Sequence, residues 1–155
     1  MKKLKLKTAL INEAYKVLDT AKYSNLTDQD KVKLWKIFRK LHPIATKLEE
    51  EKQDASKRLA PNEDLLARLQ KCVQYEKLMD EKADKSLFPM TDEDYIKTVK
   101  EYRDYKKLLE SALSELEDKE EELEIEVLSE DAFGKLISSN DWTLKQVDSL
   151  EFLIE

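Results

Sequence analysis

Residues 2–7 read KKLKLK, and residues 123–128, more than a hundred positions further on, read LEIEVL. Both stretches alternate strictly. Lys3, Lys5 and Lys7 fall on one face of the first, with Leu4 and Leu6 on the other. In the second, Glu124 and Glu126 oppose Leu123, Ile125 and Val127. A period of two marks a half-buried strand. A strand by itself cannot satisfy its backbone N–H and C=O groups, so two isolated strands in one chain are expected to pair. Pairing also sets lysines opposite glutamates, each pair contributing on the order of 0.2–1 kcal/mol.

Outward from these strands the periodicity changes to that of helices. Thr8 is placed to cap a first helix bearing Leu10, Ile11, Ala14, Tyr15, Val17 and Leu18, ending near residues 23–26. Thr27-Asp28-Gln29-Asp30 has the form of a capping box. The helix after it carries Leu34, Phe38, Leu41, Ala45 and Leu48 in a heptad-like seam, widened by Trp35 and Ile37. Pro43 interrupts that seam without disturbing its register, which predicts a kink rather than a break. Pro61-Asn62 marks a turn. A further helix carries Leu65, Leu66, Leu69, Cys72, Val73, Leu78 and Met79, and Phe88-Pro89 ends it. Thr91-Asp92-Glu93-Asp94 starts a long helix through Leu116 that runs out into Glu120-Glu121-Glu122. Ser129 and Thr143 cap two closing helices, the last holding Leu144, Val147, Leu150 and Ile154.

The expected fold is therefore mostly α (α+β): an elongated helical hairpin or bundle with a small two-stranded sheet. The 155 residues are expected to form a single domain, with a helical body and arm over 8–120. A small α+β base is expected from 1–7 and 121–155.

Composition narrows the function. Charged residues make up 40% of the chain, and there is one glycine, one cysteine and one histidine. A single glycine cannot supply a phosphate-binding loop or a dinucleotide fingerprint. One cysteine permits no internal disulfide, and one cysteine with one histidine permits no Cys/His zinc site. The basic start is broken by Lys5, Lys7, Asn12 and Glu13 before any leader-like apolar core can form. No apolar run approaches the roughly 20 residues that span a bilayer, so a cytoplasmic, non-membrane protein is expected. Residues 1–48 hold 12 basic against 4 acidic side chains, and residues 49–155 hold 16 against 30. Such asymmetry fits two halves that pack on each other, or a nucleic-acid surface with an acidic remainder.

His42 and Cys72 read as a helix-kink histidine and a core cysteine, because nothing near Cys72 in sequence would activate a thiolate. The acids of 115–126 lack the spacing of a calcium loop and read as a solvated face. No catalytic, cofactor or metal residue is assigned, and no cofactor or enzymatic activity is expected. The densest basic stretch is 31–47, where Trp35 and Phe38 are interleaved with lysines; the aromatics read as seam residues. Lys33, Lys36, Lys40 and Lys47 are the candidate nucleic-acid contacts. The arm over 61–116 is the candidate surface for a protein partner or for self-association.

The K-x-K-x-K start, the stretch LWKIFRKLHPIATKLEEEKQDASKRL and the end ELEIEVLSEDAFGKLISSNDWTLKQVDSLEFLIE together resemble a family of small uncharacterised phage and prophage proteins carrying a domain of unknown function. The resemblance is one of pattern and order over about 90 residues. It implies a phage setting and carries over no catalytic residue, cofactor or substrate. The expected function is a non-catalytic interaction or assembly protein, with a nucleic-acid-binding module using 31–47 as the alternative.

Overall fold

The computed structural model describes residues 1–155. Strand β1 (Lys2–Lys7) passes directly into α1 (Thr8–Asp19), and α2 (Asp28–Arg58) and α3 (Glu63–Asp80) follow. The long α4 (Asp92–Asp118) leads into β2 (Glu120–Ile125), and α5 (Glu130–Ser138) and the short α6 (Leu144–Asp148) close the chain. Short 3₁₀ turns lie at Lys85–Leu87 and Glu151–Leu153. The fold is mostly helical with one two-stranded antiparallel sheet, as the sequence predicts. Two compact units are present: residues 1–52 with 114–155, and residues 53–113.

In the first unit, Lys3 faces Glu124, Lys5 faces Glu122 and Lys7 faces Glu120. The expected lysine–glutamate pairing is thus present. Its strand is displaced, however: β2 begins at Glu120 and ends at Ile125, rather than spanning 123–128. The paired register ends at Lys2 and Ile125, so Glu126 and Val127 lie beyond it. Glu120–Glu122, which read as the frayed end of α4, are drawn into the sheet by the basic strand opposite. Pairing here overrides the weak β-propensity of glutamate.

Leu123 and Ile125 point inward and meet Ile11 and Ala14 of α1, Leu34, Ile37 and Leu41 of α2, Leu136 of α5 and the chain end at Leu150 and Leu153. Leu4, Leu6 and Val147 pack on this cluster from its edge. Beyond β2 the chain turns so that the Leu128 amide donates to the Leu153 carbonyl at 2.7 Å.

Four caps sit where the sequence places them. Thr27 accepts from the Asp30 amide, Thr91 from Asp94, Ser129 from Ala132 and Thr143 from Gln146. Thr8 departs from its predicted role. Lys7 occupies the cap position of α1 without a side-chain bond, and Thr8 is the first helical residue. Its buried hydroxyl instead donates to the Leu116 and Glu117 carbonyls, fastening the last turn of α4 to the start of α1. α1 stops at Asp19, short of the predicted 23–26. The terminal helix is also shorter than expected: α6 ends at Asp148, and Leu144, predicted to be apolar core, is 88% exposed. Leu150, Phe152 and Leu153 are all buried. The chain takes a 3₁₀ turn over Glu151–Leu153 there. α2 runs unbroken through Pro43.

The second unit is held by polar side chains as much as by apolar ones. Arg68 of α3 donates to Glu101 at 2.7 Å and to Thr98 at 3.2 Å, both on α4, and Thr98 is fully buried. Tyr75 stacks on Tyr95 with ring centroids 4.2 Å apart, and the edge of Phe88 closes the cluster. The Tyr75 hydroxyl donates to Asp92, which Lys85 also approaches, and the Tyr95 hydroxyl donates to Glu76 at 2.7 Å.

Two predictions follow from these contacts. Ile125 is 1% exposed, so Ile125→Ala should cost about 2–5 kcal/mol in urea unfolding. Glu124→Ala should stay within about 0.5 kcal/mol, because its side chain is exposed and the carbonyl that accepts from Lys40 is retained. Equal losses in the two variants would contradict the packed-sheet account.

The second concerns alkaline pH. The bond to Glu76, reinforced by burial, pushes the Tyr95 phenol up to about 12. A folded pKa above the unfolded value of about 10 gives stability that is full below pH 10 and lost as pH rises toward 12. Absorbance titration at about 295 nm should show that phenol near 12, absent in Tyr95→Phe and returned toward 10 in Glu76→Gln. An unchanged titration in Glu76→Gln would refute the assignment.

Candidate functional site: the outer face of helix α2

Leu34, Ile37 and Leu41 are all buried and fix the rotation of α2. Successive helical residues are about 100° apart, so this stripe leaves Trp35, Lys36, Arg39 and Lys40 outside. Trp35, expected in the seam, is instead 54% exposed. It shares one helical ridge with Arg39, four residues on, whose guanidinium carbon lies 5.0 Å from the indole centroid. At an exposed site that contact contributes about 0.5–1 kcal/mol.

A concavity lies on each side of this ridge. The first, of about 260 Å³, is lined by Leu34, Trp35 and Phe38 of α2, by Leu18 of α1 and by Ala21 and Tyr23 of the following loop, with Asp19 and Lys31 at the rim. Phe38 is held by stacking on Tyr15 at 4.8 Å, and the Tyr15 hydroxyl and His42 Nδ1 lie 2.8 Å apart in a hydrogen bond. The loop carrying Tyr23 is pinned by Asn140. Its amide accepts from Lys22 N–H and donates to the Lys22 carbonyl, each at 2.7 Å, and also donates to the Leu136 carbonyl at 2.8 Å. The wall of this apolar hollow is therefore built.

The second concavity, of about 370 Å³, is a basic groove. Lys33, Lys36, Arg39 and Lys40 face Glu126 across a floor of Ile37 and Ile125. Lys33 lies 3.7 Å from Glu126, and the Lys40 ammonium donates to the backbone carbonyl of Glu124. Lys36 makes no ion pair. With four cations against one carboxylate, the groove attracts anions.

Of the four lysines singled out from sequence, Lys33, Lys36 and Lys40 therefore share one groove. Lys47 does not. It lies at a separate hollow of about 250 Å³ near Thr8, Pro43 and Leu116, with Glu51 3.9 Å away. Arg39 and Trp35, which belong to the basic stretch 31–47 but not to its candidate contacts, and Tyr23 are further residues of the site. Arg39 and Trp35 had a usable signal, since residue 35 cannot share the narrow stripe of 34, 38 and 41. Tyr23 had none, because its place depends on Asn140, more than a hundred residues away.

Elsewhere, Cys72 is buried, and burial with the nearby Glu76 carboxylate pushes its thiol up, away from the thiolate a nucleophile needs. No three His, Cys, Asp or Glu side chains are grouped as metal ligands. No helix is long and apolar enough to cross a membrane. In the second unit Leu66, Val73, Met79, Leu87, Ile96, Tyr102 and Leu108 are exposed.

No protein-family model, curated protein or solved structure matches the chain.

Proposed function

We propose that this chain is a non-catalytic protein-interaction protein and that the outer face of α2 over 31–40 is its recognition surface. The carrying observation is Trp35, exposed on a ridge between an apolar hollow and a basic groove. Recognition surfaces combine a buried apolar anchor with polar contacts around it. A partner segment would seat one aromatic or branched side chain among Leu18, Tyr23, Leu34 and Phe38 and lay acidic residues along Lys36 and Arg39. The role proposed is that of an accessory or assembly factor in the cytoplasm, in the phage setting that the pattern likeness to phage and prophage proteins implies.

One observation favours a second reading. An exposed indole beside free cations is also a stacking platform for single-stranded nucleic acid. It is the lesser reading, because Lys33 and Lys40 are already engaged with the β2 segment and Lys47 lies apart.

Selection of displayed random peptides on the immobilised protein should enrich sequences with an apolar residue next to acidic ones. Combining Trp35→Ala with Lys36→Glu should weaken the enriched peptides at least tenfold and leave the fold intact. Peptides insensitive to that pair of changes would refute the proposed surface. Tight oligonucleotide binding, with affinity falling steeply with salt and quenching Trp35 in a Trp142→Phe background, would replace this reading with the second.

A further inference from the structure

The two-stranded sheet has two outer edges, and the structure treats them differently. The Thr8 amide donates to the Lys119 carbonyl at 2.8 Å, which extends the register in which Lys7 faces Glu120. In an antiparallel pair, alternate residues turn both backbone groups toward the partner strand. The inward positions are therefore Leu4 and Leu6 on β1, with Glu121 and Leu123 on β2. Lys3 and Lys5, like Glu122 and Glu124, turn theirs outward. The Lys40 ammonium bound to the Glu124 carbonyl agrees with this, since only an outward carbonyl could be reached from α2. The outer edge of β2 is thus blocked by a helix side chain.

The outer edge of β1 is not blocked. The outward N–H and C=O groups of Lys3 and Lys5 have no hydrogen-bond partner within the chain. The apolar layer also stops short there. Leu123 and Ile125 of β2 are buried, whereas Leu4 and Leu6 of β1 are only half-buried. A third strand beside β1 would pair the open backbone and complete the cover of Leu4 and Leu6.

We infer that the outer edge of β1 is a strand-addition site for an extended segment of a partner protein in which acidic and apolar residues alternate. Charge complementarity chooses that occupant. Lys3, Lys5 and Lys7 stand in a row on the wet face, and the strand β1 already accepts on its other side, Glu120–Ile125, has acids in the matching row. A second copy of this chain fits poorly. Two β1 edges would set lysines against lysines, and the β2 edge of a second copy carries its own Lys40. Lysines along an edge deter self-pairing, and the same residues admit an acidic strand. The inference does not depend on the α2 surface and can fail without it.

The test uses the whole, isotope-labelled chain and a seven-residue peptide alternating valine and glutamate. In the free protein the Lys3 and Lys5 amides should exchange with solvent as exposed backbone does. Saturating peptide should slow both at least tenfold, leave the Leu4 and Leu6 amides as they were, and bind more weakly as salt rises. A control peptide of the same length alternating valine and lysine should bind at least tenfold more weakly. Lys5→Pro removes only an outward amide and one lysine, so it should fold and lose binding. Should that variant not fold, N-methylation of alternate residues of the valine–glutamate peptide should abolish binding in one phase and spare it in the other. No slowing at Lys3 and Lys5, equal binding of the two peptides, equal binding by a folded Lys5→Pro, or loss of Leu4 and Leu6 protection through displacement of β2 would each overturn the inference.

Discussion

The pairing of residues 2–7 with residues 120–125 is the constraint on which the first unit depends. It joins segments separated by more than a hundred residues, and closing that loop carries an entropic cost that contacts across the sheet must offset. Exposed ion pairs do little here. Lys5 to Glu120 at 3.2 Å and Lys7 to Asp118 at 3.3 Å are both solvated and contribute well under about 1 kcal/mol each. The closure is held instead by what the sheet buries. Leu123 and Ile125 complete a core whose other walls are α1, α2, α5 and the chain end. Thr8 adds a second fastening by binding the last carbonyls of α4. Packing supplies the stability, and the ion pairs of Lys5 and Lys7 reach diagonally to residues two positions from those they face.

The same core positions the candidate recognition surface. Leu34, Ile37 and Leu41 face the sheet and α1, which forces Trp35 and Arg39 outward and Lys36 and Lys40 toward β2. A part-buried polar contact joins α1 to α2: the Asn12 amide donates to Glu49 at 2.8 Å, and Lys16 lies 3.3 Å from the same carboxylate. The Asn12 bond, helped by Lys16, holds the Glu49 carboxyl below its ordinary range against the opposing effect of burial. Lys40 serves both the groove and the sheet, because its ammonium sits on the outer carbonyl of β2.

Much of this was legible in the amino-acid sequence because it is locally encoded. Period-two alternation exposes strands, and a Ser or Thr three residues before a matching amide exposes helix starts. Thr27, Thr91, Ser129 and Thr143 all cap as their spacing indicates. Readings that depended on distant partners fared worse. Glu120–Glu122 belong to a strand only because KKLKLK lies opposite. Thr8 serves α4 rather than its own helix, and Leu144 stands outside because the chain needs Leu150, Phe152 and Leu153 inside. The candidate site was half legible. Its lysines stand out by density and Trp35 lies off the stripe of 34, 38 and 41, but the hollow beside them also requires Tyr23, which is held by the distant Asn140.

Native-state hydrogen exchange tests the closing role of the sheet most directly. If strand pairing completes the core, the inward amides of Leu4, Leu6, Leu123 and Ile125 should exchange only by global unfolding of the first unit. Their opening free energies and denaturant dependence should match those of Ile11 and Leu41. Exchange of the four sheet amides through a separate, low-energy opening, with the core amides still protected, would contradict the account.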